Sequence, residues 1–570
     1  MTFDYDEILK KSNEFFEQGD YDSALNVIEE IKEPTKKVLD FKYNMLSNMA
    51  KVCEKSDDIS SLLICLTEME KITPLNESLL LSIALNLEHI GNLQNALLYY
   101  QKILNINKRN YDALIHIAIL FIKKRKYDNA LKYIEKAKRI KPNQYKTAYA
   151  YFKIYEGKCN FKEAIPYAKE MVLLNPDNSN GYYNCARTYY HLYNYKTSLE
   201  YCEKYLKFEP DNTDILSLRV ECLQQLGILK DISPVLEELI KKYPDSYILK
   251  KIYSYEKLKN KNYEEGMKYY PYIVSIDEVK KDTGHAAEKF CEYAKKQWHR
   301  ENVSDKTVLV YQGTFGAGDY LMFSRYIPEI EKKAGKVIIE ANENFYELFK
   351  YNFKNSVVIK ETKEAISPDE YDYSVSAMEL FYAANMGFEN LPYPQGWLNI
   401  PDEKLKEAEN TGIFKHDKIN AGIFWRGSGG LMGYRSIDFE NYIPLFNLEN
   451  FRFISFDIEQ KDEKTLDLFN KYDIVDCSKY IENSFDTGAF LKNLDIFITV
   501  DSFPLHLAGS LGVKTYLILP VLSEWRWFND TKNTPWYNSV KIFKQTETND
   551  INIVIQEIKN QLSIIKKAEF

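Results

Sequence analysis

No run in this 570-residue chain approaches the roughly 18 consecutive apolar residues that a membrane-spanning helix requires. The opening stretch MTFDYDEILKKSNEFF also lacks the basic-then-apolar order of a secretory signal, so a cytoplasmic location is expected. C-x-x-C pairs are absent too. The eight cysteines (Cys53, Cys65, Cys159, Cys185, Cys202, Cys222, Cys291 and Cys477) are scattered, with seven inside Cys53–Cys291. That distribution argues against a zinc ribbon or disulfide scaffold and for buried, reduced thiols. Positive charge is not in excess: 75 basic against 83 acidic side chains leave a formal charge of −8, which argues against a nucleic-acid partner, since such binding needs clustered Lys and Arg. What the chain does have is length for roughly two to four domains. It also has 45 tyrosines, an excess that composition alone does not explain.

Internal repeats account for the first half. Pro74, Pro142, Pro176, Pro210 and Pro244 lie on one progression of step 34, with Lys108 at the single slot where proline is missing. Leu62, Ala96, Ala130, Ala164, Ser198 and Ile232 form a second progression of the same step. A third, Gly91, Arg125, Cys159, Tyr193 and Gly227, falls at the turn between two helices. QGDYDSAL puts Ala24 in the small-residue slot of an earlier unit, and a four-residue insertion before Tyr43 restores the register. The spacing predicts one antiparallel helix pair per repeat, whose apolar face is buried only by stacking on its neighbours. The pattern resembles the tetratricopeptide repeat, with KYDNALKYIEKA and KPN (Lys126 to Asn143) a close match. The resemblance implies an α-helical solenoid over 1–272 whose concave face takes an extended protein segment. Tyr149, Lys153, Tyr183, Asn184, Arg187 and Tyr190 occupy the slots expected to face that groove, although ordinary packing between helices is the alternative for each tyrosine.

After a helical connector at 273–305 the pattern changes. TVLVYQ (Thr307–Gln312), KVIIE (Lys336–Glu340), SVVIK (Ser356–Lys360) and YDYSVS (Tyr371–Ser376) read as strands, with helices at Leu321–Ala334 and Glu343–Asn352. A second series follows the loop ENLPYPQGW (Glu389 to Trp397): INAGIFW, FRFISFD, DIVDCS, DIFITVD, TYLILP and VKIFKQ. Strands alternating with helices predict two doubly wound, Rossmann-like α/β lobes, 306–400 and 401–570, with a cleft between them.

Two loops carry candidate chemistry. GTFGAGDYL (Gly313 to Leu321) imitates the spacing of a P-loop, but Asp319 and Tyr320 stand where Lys and Ser/Thr are required, which excludes an ordinary P-loop NTPase. Its glycine order also fails the dinucleotide fingerprint, and Glu340 is the only acid ending the second strand, so a dehydrogenase is a weak option. Asp319 at a helix N-terminus suits either a general base or a simple helix cap. In the second lobe DIFITVD runs through Ser502, Phe503 and Pro504 into LHLAGSLG, where Pro504 near the first turn leaves neighbouring amides free for a phosphate. His506 sits on that turn, and INAGIFWRGSGG leads to Arg426 and then Arg435, which either neutralise a diphosphate or pair with carboxylates.

The stretches GAGDYLMFSRYIPEI, SFDTGAFLKNLDIFITVDSFPLHLAGSLGVKTYLILP and SEWRWFND with TPWYNSVKIFKQ together resemble the glycosyltransferase domain of tetratricopeptide proteins related to the heptosyltransferases, glycosyltransferase family 9. They are more distantly similar to the O-linked N-acetylglucosamine transferases. The likeness covers roughly Lys306 to Gln545. It implies a GT-B fold, transfer from a nucleotide-sugar donor that is substrate rather than cofactor, and no essential metal. Carried over residue by residue, it makes Asp319 the catalytic base and places the donor at Trp425, Arg426, Ser502, Leu505, His506 and Leu507. Relatives typically have Thr and a small residue at Ser502 and Pro504, and GLGD for GAGD; these departures bear on donor identity more than on reaction type. The expectation is an inverting transfer to Ser or Thr of an acceptor protein, such as flagellin or another surface protein. The alternatives are a scaffold with an inactive transferase domain and a transferase acting on a glycan or lipid.

Overall fold

The structure is a computed structural model describing residues 5–270, 285–313, 316–386, 391–427, 435–521, 523–528, 532–546 and 550–565. Several expectations therefore fall partly outside the described residues: the end of the array and the start of the connector (271–284), the Thr314–Phe315 step of the first glycine-rich loop, residues 389–390 of the loop ENLPYPQGW, residues 428–434 beyond Arg426, and residues 529–530 of SEWRWFND. Contacts gather into two compact units, Met1–Leu192 and Tyr193–Phe570.

From Tyr5–Glu17 to Tyr263–Tyr269 the chain forms short helices that pack in sequential pairs, such as Tyr111–Lys123 on Tyr127–Ile140. The turn inside each pair has one physical cause. Asp57, Gly91, Arg125, Cys159, Tyr193, Gly227 and Lys261 recur at the repeat interval, and all have positive φ, between 55° and 80°. A left-handed residue ends the helical hydrogen-bond ladder and turns the chain back. Glycine adopts it freely, whereas Arg125, Cys159 and Tyr193 hold it against a steric cost. Gly19, also left-handed, stands four residues early for this register, which is the insertion expected before Tyr43. The next residue then caps the second helix: Asp58, Asn92, Asn160, Asn194 and Asn262 each accept a hydrogen bond from a first-turn amide. Asn76, Asn110, Asn178, Asn212 and Ser246 do the same for the first helix, each cap contributing about 1 kcal/mol. The small-residue slot is fully buried at Ala24, Ala96, Ala130, Ala164 and Ser198.

The second unit contains two parallel sheets. Strands β1 (Thr307–Tyr311), β2 (Lys336–Ala341), β3 (Val357–Lys360) and β4 (Tyr373–Ser376) lie in the order β3-β2-β1-β4. Strands β5 (Ile419–Phe424), β6 (Phe451–Ser455), β7 (Val475–Asp476), β8 (Ile496–Val500), β9 (Thr515–Leu519) and β10 (Val540–Lys544) lie in the order β10-β9-β8-β5-β6-β7. The second order is that of a doubly wound dinucleotide-type sheet, and its direction reverses between β5 and β8, where Ala421 pairs with Ile496. The single helix expected over Leu321–Ala334 is two, Ala317–Ser324 and Ile327–Glu331, because Pro328 cannot continue the first and instead opens the second.

One glycine lets the lobes meet, and a second lets the contacting helix seat in its own lobe. The Ala317–Ser324 helix of the first lobe packs on the Phe503–Ser510 helix of the second, and a Cβ on Gly318 would lie 2.6 Å from His506 Cδ2. Behind that helix, a Cβ on Gly509 would lie 2.4 Å from the Tyr537 ring. The connector helix His285–Ala294 is tied to the first sheet by the buried Lys289–Glu340 pair at 2.9 Å, with the Tyr293 hydroxyl donating to Glu340 at 3.0 Å. Glu340 is thereby committed to holding the connector, which removes the one acid that a ribose-binding reading had available. The Tyr247–Lys259 helix packs on the Trp525–Trp527 turn, so the last helices of the array share a unit with the lobes. Gly509→Ala forces a methyl into a rigid, buried ring and is expected to cost about 1–3 kcal/mol. A urea midpoint equal to that of the unaltered chain would contradict this packing account.

Candidate functional site

Parallel sheets place ligands outside the carboxyl ends of their strands where the strand order reverses. A cavity of about 390 Å3 lies there, lined by Phe424 at the end of β5, Arg426 and Gly427 after it, Asp457 to Glu459 after β6, and Asp501 to Pro504 and His506 after β8. Gly316 to Asp319 of the first lobe close the opposite wall, with Arg435 and Arg526 completing it.

Strand alternation decides which expected residues reach this space. Phe424 faces it, so Trp425 does not: its ring lies in the core on the other side, 4.5 Å from that of Phe439. The Leu505 and Leu507 side chains are likewise fully buried, and only their backbone is available to a ligand. Ser502 turns its hydroxyl back to Val500 O at 3.0 Å and leaves the Phe503–Ser510 helix without a side-chain cap, while Pro504 in the first turn brings no N–H of its own. This open helix end favours an anion.

Asp501 is the most heavily engaged group. Trp527 Nε1 donates to its Oδ2 at 3.0 Å, Arg435 Nη1 lies 3.0 Å from the same oxygen, and His506 Nε2 is 3.6 Å from Oδ1. With a proton on Nε2, His506 accepts at Nδ1 from the Tyr537 hydroxyl at 2.9 Å. Burial alone would raise the Asp501 carboxyl, but the adjacent His506 ring and the charges of Arg435 and Arg526 outweigh it and hold it below the usual carboxylate range. The Arg325 guanidinium stacks 4.2 Å from the Trp397 ring and 4.9 Å from that of Tyr537, which supports the hydrogen-bonded chain from behind.

Asp319 combines two of its expected features. Its Oδ2 accepts from Gly316 N at 3.2 Å, closing the helix as a cap, and its Oδ1 faces Arg526 Nη1 at 3.0 Å. Arg426, expected at a diphosphate, pairs with Asp457 at 2.6 Å and with Glu459 at 3.5 Å. Arg526 and Asp501 fall inside the motifs that carry the resemblance, which assigns neither of them a role. The signal for Arg526 is a cation set inside the aromatic run W-R-W, which can be buried only if a carboxylate meets it. Among the described residues, no group of three or more His, Cys, Asp or Glu is placed to hold a metal ion.

The groove candidates are divided. Tyr149 is exposed, Lys153 pairs with Glu156, Arg187 Nη1 donates to the Tyr183 hydroxyl at 3.0 Å, and Tyr190 meets His191 edge-on. Asn184 is only 8% exposed, with its amide 3.8 Å from Met171 Sδ, so it packs between helices and does not line an open face.

A sequence model of the tetratricopeptide repeat matches residues 111–144. The chain contains a tetratricopeptide repeat, set in an array of helix pairs with the same spacing. Similar solved structures include a tetratricopeptide repeat protein from Parabacteroides merdae (18% identity, 44% of this chain and 97% of that one, TM-score 0.31). Others are YrrB, described as a repeat protein with an unusual peptide-binding site (17%, 34% and 95%, TM-score 0.27), and MamA from Desulfovibrio magneticus (19%, 30% and 97%, TM-score 0.28). No curated protein matches the chain. Among the described residues no helix is long and apolar enough to cross a membrane.

Asp501→Asn removes a buried charge from its donors and is expected to cost about 3–5 kcal/mol at pH 7. The native carboxyl takes up its proton at a lower pH than the unfolded chain does. Its stabilisation is therefore full well above about pH 4 and is lost as pH falls through the depressed native value. Urea titrations at pH 7 and pH 3 should show the gap between variant and parent narrowing in acid; a gap that widens would contradict this assignment.

Proposed function

We propose that the chain is an inverting, metal-independent glycosyltransferase of GT-B type, working in the cytoplasm, that moves a sugar from a nucleotide-sugar donor to Ser or Thr of an acceptor protein held by the repeat array. The observation that carries this reading is the cavity at the β5/β8 reversal, where an uncapped helix end and the Asp319 carboxylate face one space from two lobes. The resemblance in the sequence agrees with it, and stacked tetratricopeptide repeats supply the extended surface that protein partners use.

In this mechanism the acceptor hydroxyl attacks the anomeric carbon from the first-lobe side and gives its proton to Asp319. The bond from that carbon to the diphosphate oxygen breaks as the new one forms. The charge left on the nucleoside diphosphate is met by the backbone of the Phe503–Ser510 helix end and by nearby arginine. A single displacement inverts the anomeric centre. His506, held by Asp501 and Tyr537, positions the helix end against the leaving group.

A second reading has one observation in its favour: Arg426, Arg435 and Arg526 each already face a carboxylate, as they would in a scaffold whose cleft holds no donor. Asp319→Asn separates the two. With a nucleotide-sugar panel and co-purified acceptor proteins followed by intact mass, the variant should lose about 10²–10⁴ in kcat without a rise in donor KM, and the product should show inverted configuration by NMR. Retained configuration, undiminished turnover, or no transfer from any donor by the unaltered chain would overturn the proposal.

A further inference from the structure

Three arginines line the cleft, and they differ in what holds them. Arg426 is paired with Asp457 and Arg435 with Asp501, carboxylates whose side chains are 1% and 2% exposed. Drawing either arginine away strands a buried negative charge. Asp319, the partner of Arg526, is 16% exposed and keeps the hydrogen bond from Gly316 N if the arginine leaves. Of the three pairs, this is the one that opens cheaply.

Arg526 is also built to meet a ligand. Its side chain is more than nine-tenths buried, it lines the cavity, and among the described residues its Nε has no hydrogen-bond partner. The backbone beneath it is fixed by Trp536 Nε1, which donates to Arg526 O at 2.9 Å, and by the buried rings of Trp525 and Trp527 on either side. A guanidinium fixed in this way is an anion site waiting for a better acceptor than one carboxylate oxygen. The uncapped N-terminus of the Phe503–Ser510 helix lines the same cavity.

We infer that Arg526 is the anion-binding cation of this cleft and that Asp319 is its placeholder, displaced when a diphosphate seats at the N-terminus of the Phe503–Ser510 helix. The inference rests on the transferase reading and deepens it, because the base is released only once the donor is in place. Donor then binds before acceptor.

The test is calorimetric binding of inorganic pyrophosphate, and of a panel of nucleoside diphosphates, to the full chain and its variants at low salt. Asp319→Asn keeps the side-chain shape and the capping oxygen but removes the competing charge, so it should bind pyrophosphate about 5- to 20-fold more tightly than the unaltered chain. Arg526→Gln should lose at least about tenfold, and Arg526→Lys should recover part of that. If the unaltered chain binds and Asp319→Asn binds equally or more weakly, the placeholder role is wrong while the transferase reading stands. If neither the unaltered chain nor any variant binds pyrophosphate or any nucleoside diphosphate, the transferase reading fails and takes this inference with it. Should Arg526→Gln fail to fold, the Asp319→Asn comparison still decides.

Discussion

Asp501 is 1% exposed at the end of β8, and a carboxylate so far from water keeps its charge only when donors surround it. Meeting that demand arranges the cleft. Arg435, Trp527 and His506 converge on its two oxygens from three separate segments. The demand passes outward: His506 is steadied by Tyr537, Tyr537 lies under the Arg325 guanidinium, and the turn that supplies Trp527 also presents Arg526 to the first lobe. One buried charge thus fixes the orientation of the histidine, the helix end beside it and the arginine that reaches across.

The second constraint is steric. Two helix N-termini from different sheets approach closely only because Gly318 has no Cβ where His506 stands. That contact brings the Asp319 carboxylate within reach of Arg526 and gives the cavity a wall from each lobe. A cleft assembled in this way has its charges already compensated, so a ligand must compete for a cation, and competition falls on the pair with the more solvated carboxylate.

Much of the fold was legible because each repeat slot has its own chemistry. A left-handed turn, a capping Asn or Asp and a small buried residue recur at a fixed interval, and arithmetic on the letters finds them. Runs such as TVLVY and IFITV announce parallel strands buried on both faces. Less of the site was legible. The family resemblance puts Trp425 at the donor, but alternation sends Phe424 to the cleft and Trp425 to the core. Asn184 fell at a groove slot yet packs on Met171. The Asp319–Arg526 pair joins segments far apart in sequence, and nothing local to either residue names the other. The tyrosine excess has a partial account: Tyr100, Tyr151 and Tyr253 bury their rings between helices and donate their hydroxyls to Glu88, Glu135 and Glu237. The array thus uses tyrosine to fill space while still satisfying a buried polar group.

The account turns on where a nucleotide diphosphate sits, and a crystal structure of the full chain grown with a saturating nucleoside diphosphate reads that position directly. The account predicts phosphate density against the backbone of Ser502 to His506, with the Arg526 guanidinium moved from Asp319 onto a phosphate oxygen and Asp501 still held by Arg435 and Trp527. A nucleotide ordered elsewhere on the chain, or an empty cleft with Arg526 still on Asp319, would contradict it.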